Sequence, residues 1–125
     1  MKKIVLTENA PKPIGPYSQA VQAGKFMYVS GQLPINPKEG KIVAQDIAAQ
    51  TQQVMENIKA VLEAANFSLK DVVQSTVYLS SMSLFDGFNV EYAKFFKGDF
   101  PARATVATGL KEGALVEVAV VAYRD

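Results

Sequence analysis

Residues able to do chemistry are scarce in this chain. Its 125 residues include no histidine and no cysteine, which excludes a thiol nucleophile, a Ser-His-Asp triad and the usual Cys/His zinc site. Any acid or base must be Glu, Asp, Lys, Tyr or a chain terminus. Arg103 is the first residue of interest, because the only other arginine is Arg124. A guanidinium can grip a carboxylate through two parallel hydrogen bonds, although an arginine after Phe100-Pro101-Ala102 could equally cap the end of the preceding helix. Glu117 is the second. It interrupts the most apolar run, Ala114 to Tyr123, where an unpaired carboxylate is expensive to bury. Either an ion pair or an exposed edge accommodates it, or it sits in a partly dry pocket and binds or activates water.

Three further places could join them. Tyr17 ends the segment Pro11-Lys12-Pro13-Ile14-Gly15-Pro16, and a tyrosine beside a proline loop can be purely structural. Ser30-Gly31 closes a β-rich stretch, and the glycine permits close approach of backbone to a ligand. Asn89 is polar beside Phe88 on an aromatic helix whose stripe reads as core.

Composition sets the frame. An apolar fraction of 49% and a charged fraction of 20% belong to a globular protein with a real core, and the chain is expected to form one domain over residues 1–125. Formal net charge is +1 with no run of basic residues, so nucleic acid is an improbable partner. The N-terminal stretch Met1 to Glu8 has too few apolar residues for a signal-peptide core, and Ala114 to Tyr123 is too short to span a bilayer. A soluble cytoplasmic protein is expected, without membrane contact.

The elements that must position these groups follow from patterning. Lys3 to Thr7 is a strand candidate, followed by an extended proline loop. Ser18 to Ala23 and Lys25 to Gly31 read as a hairpin turning near Gly24, and Leu33 to Gly40 as a loop. Asp46 is the expected N-cap of a helix ending near Asn66. Its core stripe is Ile47, Val54, Ile58, Val61, Leu62 and Ala65, with Gln50, Gln53, Glu56, Lys59 and Glu63 mostly opposite. Ser68 with Asp71 and Ser83 with Asp86 look like capping boxes. Between them Val72 to Leu79 alternates as a strand, and the helix after Ser83 should end at Gly98.

Two strands follow, Arg103 to Thr108 and Leu115 to Tyr123, joined by Gly109 to Gly113. Pairing them as an antiparallel hairpin would put 105 opposite 117 and 103 opposite 119, making Arg103 and Glu117 near neighbours on one face; a one-residue slip would undo this. The expected fold is α+β, a mixed sheet with two helices on one face. Since Leu115 to Tyr123 is apolar on both sides, self-association should cover the other face.

The combination Asn9-Ala10-Pro11, Ile14-Gly15-Pro16-Tyr17-Ser18-Gln19-Ala20, Val29-Ser30-Gly31-Gln32, Pro101-Ala102-Arg103 and Leu115-Val116-Glu117-Val118 resembles the RidA (YjgF/YER057c) family of reactive-intermediate deaminases over essentially the whole chain. The resemblance implies a chorismate-mutase-like fold, a barrel-like homotrimer with sites in the clefts between subunits, and no metal or organic cofactor. It implies hydrolysis of 2-aminoacrylate and 2-iminobutanoate to 2-oxo acids and ammonia. Arg103 would bind the substrate carboxylate and Glu117 would position water. Tyr17, Ser30, Gly31, Asn89 and Thr105 would line the pocket. Thr105 stands where many relatives carry cysteine, Ala119 where many carry a second acidic residue, and Lys111 where proline is common. Rival readings are a chorismate mutase, a non-catalytic binder of small carboxylates, and an RNA- or translation-related regulator.

Overall fold

The computed structural model describes residues 1–125. Its centre is a six-stranded sheet built from β1 (Lys2–Val5), β2 (Ala20–Ala23), β3 (Phe26–Gln32), β6 (Val72–Leu79), β7 (Ala102–Ala107) and β8 (Val116–Tyr123), in the order β1-β2-β3-β8-β6-β7. A two-stranded ribbon pairs β4 (Ile35–Asn36), inside the Leu33 to Gly40 stretch expected to be plain loop, with β5 (Lys41–Ile42) just beyond it. Helices α1 (Ile47–Ala64) and α2 (Phe85–Ala93) pack on one face of the sheet.

Local chemistry accounts for most boundaries. Gly24 takes a positive φ of 59° at the β2–β3 turn, a conformation that costs glycine nothing. Asp46 caps α1, its Oδ1 accepting from the Ala49 N–H at 2.8 Å, a contact worth about 1 kcal/mol. Ser68 and Asp71 form the expected capping box, around a single 3-10 turn. The second expected box does not form. Ser81, rather than Ser83, caps the 3-10 turn that leads into α2. Helix α2 itself stops at Ala93 and not at Gly98, leaving turns that reach the left-handed pair Gly98 and Asp99.

The apolar stripe of α1 faces the sheet as its spacing required, with Val54, Ile58, Val61 and Leu62 at 0% exposure. Gln50 was expected on the opposite side and is buried instead. Its Nε2 donates to Ala44 O and Gly113 O, and its Oε1 accepts from Leu115 N. Periodicity alone reads a glutamine as solvated, whereas burial is tolerated once every polar atom is paired.

The largest correction concerns the last two strands. They are not a hairpin. β7 pairs with β6 in parallel, and β8 pairs antiparallel with β3 on one side and β6 on the other. The segment β6-α2-β7 is a crossover unit, which brings its two strands together in parallel. The stretch from Thr108 to Leu115 then carries the chain past β6, with Thr108 N bonded to Leu79 O and Ser80 N to Leu115 O.

Side-chain parity follows from this register. Val116, Val118, Val120 and Ala122 point into the core under the helices, as do Ser75, Val77 and Leu79 of β6. Glu117, Ala119, Val121 and Tyr123 take the other face and are half-buried. No helix covers that face.

Candidate functional site

Arg103 aligns with Ser75, and Ser75 with Val120, so Arg103 lies on the helix side of the edge strand β7. Its guanidinium carbon is 5.7 Å from the ring centre of Phe85, 5.4 Å from Phe88 and 5.1 Å from Tyr92. These three aromatic faces attract and orient the cation. No carboxylate pairs with it, and none of its N–H donors is bonded within the chain. The Tyr92 hydroxyl donates to Ser75 Oγ at 2.8 Å, which fixes one wall of the cradle. Burial pushes the Tyr92 phenol up from 10.0, and the Ser75 hydrogen bond and nearby Arg103 only partly offset this. A guanidinium that is packed yet unpaired is prepared for an external anion.

A recess of about 300 Å3 opens beside Arg103, lined by Asn89, Tyr92, Ala93, Phe100 and Pro101. Asn89, a candidate for its polarity beside Phe88, is thus brought to the same recess as Arg103. Its buried Oδ1 has no partner, and neither has the buried Thr105 Oγ1, two residues along β7 and on the same side as Arg103. Unpaired buried polar atoms are costly and few in native proteins. Here both belong to the strand and helix that hold the free guanidinium. The aromatic stripe of α2 is core, as expected, and it also forms the cation's seat, which its helical spacing alone gave no reason to suspect.

Glu117 lies elsewhere. It aligns with Tyr78, and Tyr78 with Val106, on the sheet face opposite Arg103. The two residues sit two strands apart and three positions out of line, about 14 Å in backbone separation. They are not neighbours within one chain, and the expected adjacency is wrong. What Glu117 does meet is Gly31. A Cβ on Gly31 would overlap Glu117 Oε2 and lie 3.0 Å from the carboxyl carbon. The glycine is thus required for space. Glu117 has no hydrogen-bond or ion-pair partner in the chain, and burial raises its pKa above 4.5. Lack of a partner also sets aside the structural ion pair that its place in the sequence allowed.

Tyr17 and Gly31 share a narrow pocket with Pro11, Lys12, Ile14 and Leu33. Ser30 is next to Gly31, but its hydroxyl proton is committed, donating to Ser18 O at 2.6 Å. Only its oxygen lone pairs are free for a ligand. The seven candidate residues therefore form two groups: Arg103, Asn89 and Thr105 on the helix side of β7, and Glu117, Gly31, Ser30 and Tyr17 around β3 and the bare face.

Because Gly31 gives Glu117 its room, Gly31→Ala is expected to leave folding nearly intact, since the clash is with the mobile end of a side chain. Any reaction that uses the Glu117 carboxylate should slow about tenfold or more as the group is displaced. Thermal denaturation alongside turnover checks both halves; unchanged turnover would show that Glu117 needs no such placement.

The fold and the two groups define a class: a small α+β protein with an unpaired guanidinium on the helix side of its sheet and a half-dry carboxylate on the other. Residues 7–124 match the family model described as Endoribonuclease L-PSP. The chain is 52% identical to a RutC family protein of Pyrococcus horikoshii, covering 100% of both. It is 41% identical to the 2-iminobutanoate/2-iminopropanoate deaminase of Escherichia coli, covering 99% of each. Among solved structures, a conserved Rid family protein of Yersinia pestis superposes with a TM-score of 0.95 at 44% identity, covering 99% of this chain and 100% of that one. The YjgF gene product of E. coli does so at 0.93 and 40%, covering 98% and 99%. This chain belongs to the RidA (YjgF) family. No helix in it is long and apolar enough to cross a membrane.

Proposed function

We propose that this protein hydrolyses reactive 2-enamine/2-imine acids, such as 2-aminoacrylate and 2-iminobutanoate, to 2-oxo acids and ammonia, at sites shared between the subunits of a homotrimer. The observation that carries this reading is the separation of the two unpaired groups. Arg103 and Glu117 lie on opposite faces of one sheet, so only a second copy can bring a guanidinium and a carboxylate to the same substrate. The bare face supports such packing, because Tyr28 (49% exposed), Val106 (47%) and Phe26 (40%) leave apolar surface in water.

In this site Arg103 of one subunit holds the substrate carboxylate bidentately and aligns C2. Glu117 of the neighbour orients a water and accepts its proton as the oxygen attacks C2, and the imine nitrogen gains a proton. The carbinolamine then breaks its C–N bond, releasing ammonia as the hydroxyl proton departs and the carbonyl forms. Asn89 and Thr105 have free polar atoms for the substrate's nitrogen and carboxylate, and Tyr17, Ser30 and Gly31 shape the Glu117 side. The imine is already reactive, so orientation and one base are enough, and the mechanism calls on no metal or organic cofactor. The RNA-directed reading has the family model's description behind it, but nothing in the residues adds to it, since the chain has neither histidine nor a basic stripe.

The test is release of 2-oxobutanoate when the protein is added to a pyridoxal-phosphate dehydratase that generates 2-iminobutanoate. Release no faster than in buffer would overturn the proposal. The shared site predicts a trimer by light scattering at micromolar concentration. Mixing inactive Arg103→Ala and Glu117→Gln subunits by refolding should also restore part of the activity, because some interfaces regain both residues. A monomer, or no recovery on mixing, would sink the shared site.

A further inference from the structure

One loop depends on a single side chain for its attachment. The segment from Thr7 to Tyr17 has no helix or strand, and its other hydrogen bonds are internal: Asn9 N to Thr7 Oγ1, Ile14 N to the Tyr17 hydroxyl, and Tyr17 N to Gly15 O. Every hydrogen bond that ties it to the rest of the chain is made by Gln19. Gln19 Oε1 accepts from Thr7 N at 2.7 Å. Its Nε2 donates to Thr7 O at 3.0 Å, Pro11 O at 2.9 Å and Ala10 O at 3.3 Å. Gln19 is 1% exposed and Ala10 2%, with Thr7 and Pro11 half-buried, so the amide end of every bond is shielded from water. The backbone of Gln19 is itself pinned to β3, its carbonyl accepting from Ser30 N at 3.0 Å.

The tied loop is the one that brings Tyr17, Pro11 and Ile14 to Gly31. A second buried amide acts on the same pocket, with Asn57 Nδ2 donating to Leu33 O at 3.1 Å and Ile35 O at 3.0 Å. The Thr7–Pro11 loop and the Leu33–Ile35 segment, which meet Gly31 in this pocket, thus each take hydrogen bonds from a buried side-chain amide.

We infer that Gln19 is a positioning residue, whose amide straps the Thr7–Pro11 segment to the sheet and so holds Tyr17 at the pocket beside Gly31, the residue against which Glu117 packs. The inference rests on the deaminase reading for its kinetic consequence, but the strap itself can be observed without turnover. Replacing the amide with an apolar side chain leaves the carbonyls of Thr7, Ala10 and Pro11 without a donor. The loop must then swing out to hydrate them, taking Tyr17 with it.

The experiment is a double-mutant cycle with Gln19→Met and Tyr17→Phe. Gln19→Met is expected to lower kcat/KM about tenfold or more and to raise the amide exchange rate of Thr7. Tyr17→Phe, costly in the native background, should cost nothing further once Gln19 is Met. A residue needed only for folding would lower thermal stability and leave the Tyr17→Phe effect the same in both backgrounds. That result would overturn the inference, as would native kcat/KM in Gln19→Met. If Gln19→Met does not fold, Gln19→Glu takes its place, since it keeps the size and the acceptor for Thr7 N but loses the donors. Should the native protein turn over no imine, the deaminase reading fails. The strap is then judged on two other signals: Thr7 exchange and the affinity for 2-oxobutanoate. Both unchanged in the variant would refute it.

Discussion

Arg103→Ala should abolish imine hydrolysis while the protein still folds and assembles. The guanidinium is the only packed, unpaired cation on the helix side of β7 that faces a recess, so no other residue can take over carboxylate binding there. Two charge-assisted hydrogen bonds at about 1.5–3 kcal/mol each correspond to a loss in kcat/KM on the order of a hundredfold to ten-thousandfold. The cost to stability is smaller. Each cation–π contact with Phe85, Phe88 or Tyr92 is worth about 0.5–1 kcal/mol near the surface, and the rings keep their packing with one another, as in the 5.2 Å Phe88–Tyr92 pair. Arg103→Lys retains the charge but loses the planar fork, and its activity should fall between the two. The coupled 2-oxobutanoate assay with light scattering on the same sample decides it. A folded, assembled Arg103→Ala protein with near-native turnover would remove Arg103 from the site.

Glu117→Gln has the second largest expected effect, and it separates binding from chemistry. Glutamine preserves size and hydrogen bonding but cannot accept a proton, so 2-oxo acid affinity should stay while turnover falls by about 10²–10⁴. The pH dependence follows from burial, which raises the Glu117 pKa above 4.5. Only the ionised form is a base, so activity should rise with pH through a limb displaced above the ordinary glutamate value, and Glu117→Gln should lack that limb. Stability runs the other way. The folded state holds this proton more tightly than the unfolded chain, so the group's contribution is fully favourable below 4.5 and is lost as pH rises through the raised value. At neutral pH the native carboxylate is thus a small liability, eased by solvent at a half-exposed site. Glu117→Gln should be as stable as the native protein or slightly more so, an exchange of stability for activity. A pH–rate profile of the two proteins, with thermal melts at pH 7, tests both directions.

Much of this was legible in residue order. The cap at Asp46, the stripe of α1, the turn at Gly24 and the alternation of β8 are local features, set within a few residues by dihedral preference and periodicity. The candidate side chains stood out for a similar reason. A chain with two arginines and no histidine makes Arg103 conspicuous, and an apolar strand does the same for Glu117. Less visible were Gln19, Gln50 and Asn57, because a buried amide looks like a surface residue until its partners, carbonyls of distant loops, are known. Ser83 likewise fitted a capping pattern, yet Ser81 stood two residues earlier with its oxygen in reach of the Ser83 N–H.

The hairpin expected for the last two strands failed for a different reason. Five residues rich in glycine are a sound turn signal, but strand, helix and strand in succession, as in β6-α2-β7, favour parallel pairing just as strongly. Local signals could not rank one against the other. The sheet resolves it, because β8 fills the slot between β3 and β6 and buries Val116, Val118 and Val120 completely or nearly so. That choice of neighbour moved Arg103 and Glu117 from one face to opposite faces. The sequence alone determined which groups could act and which way each points along its own strand, since alternation is intrinsic to the backbone. Tertiary structure alone decided which groups meet, since strand order depends on how the whole apolar surface is buried.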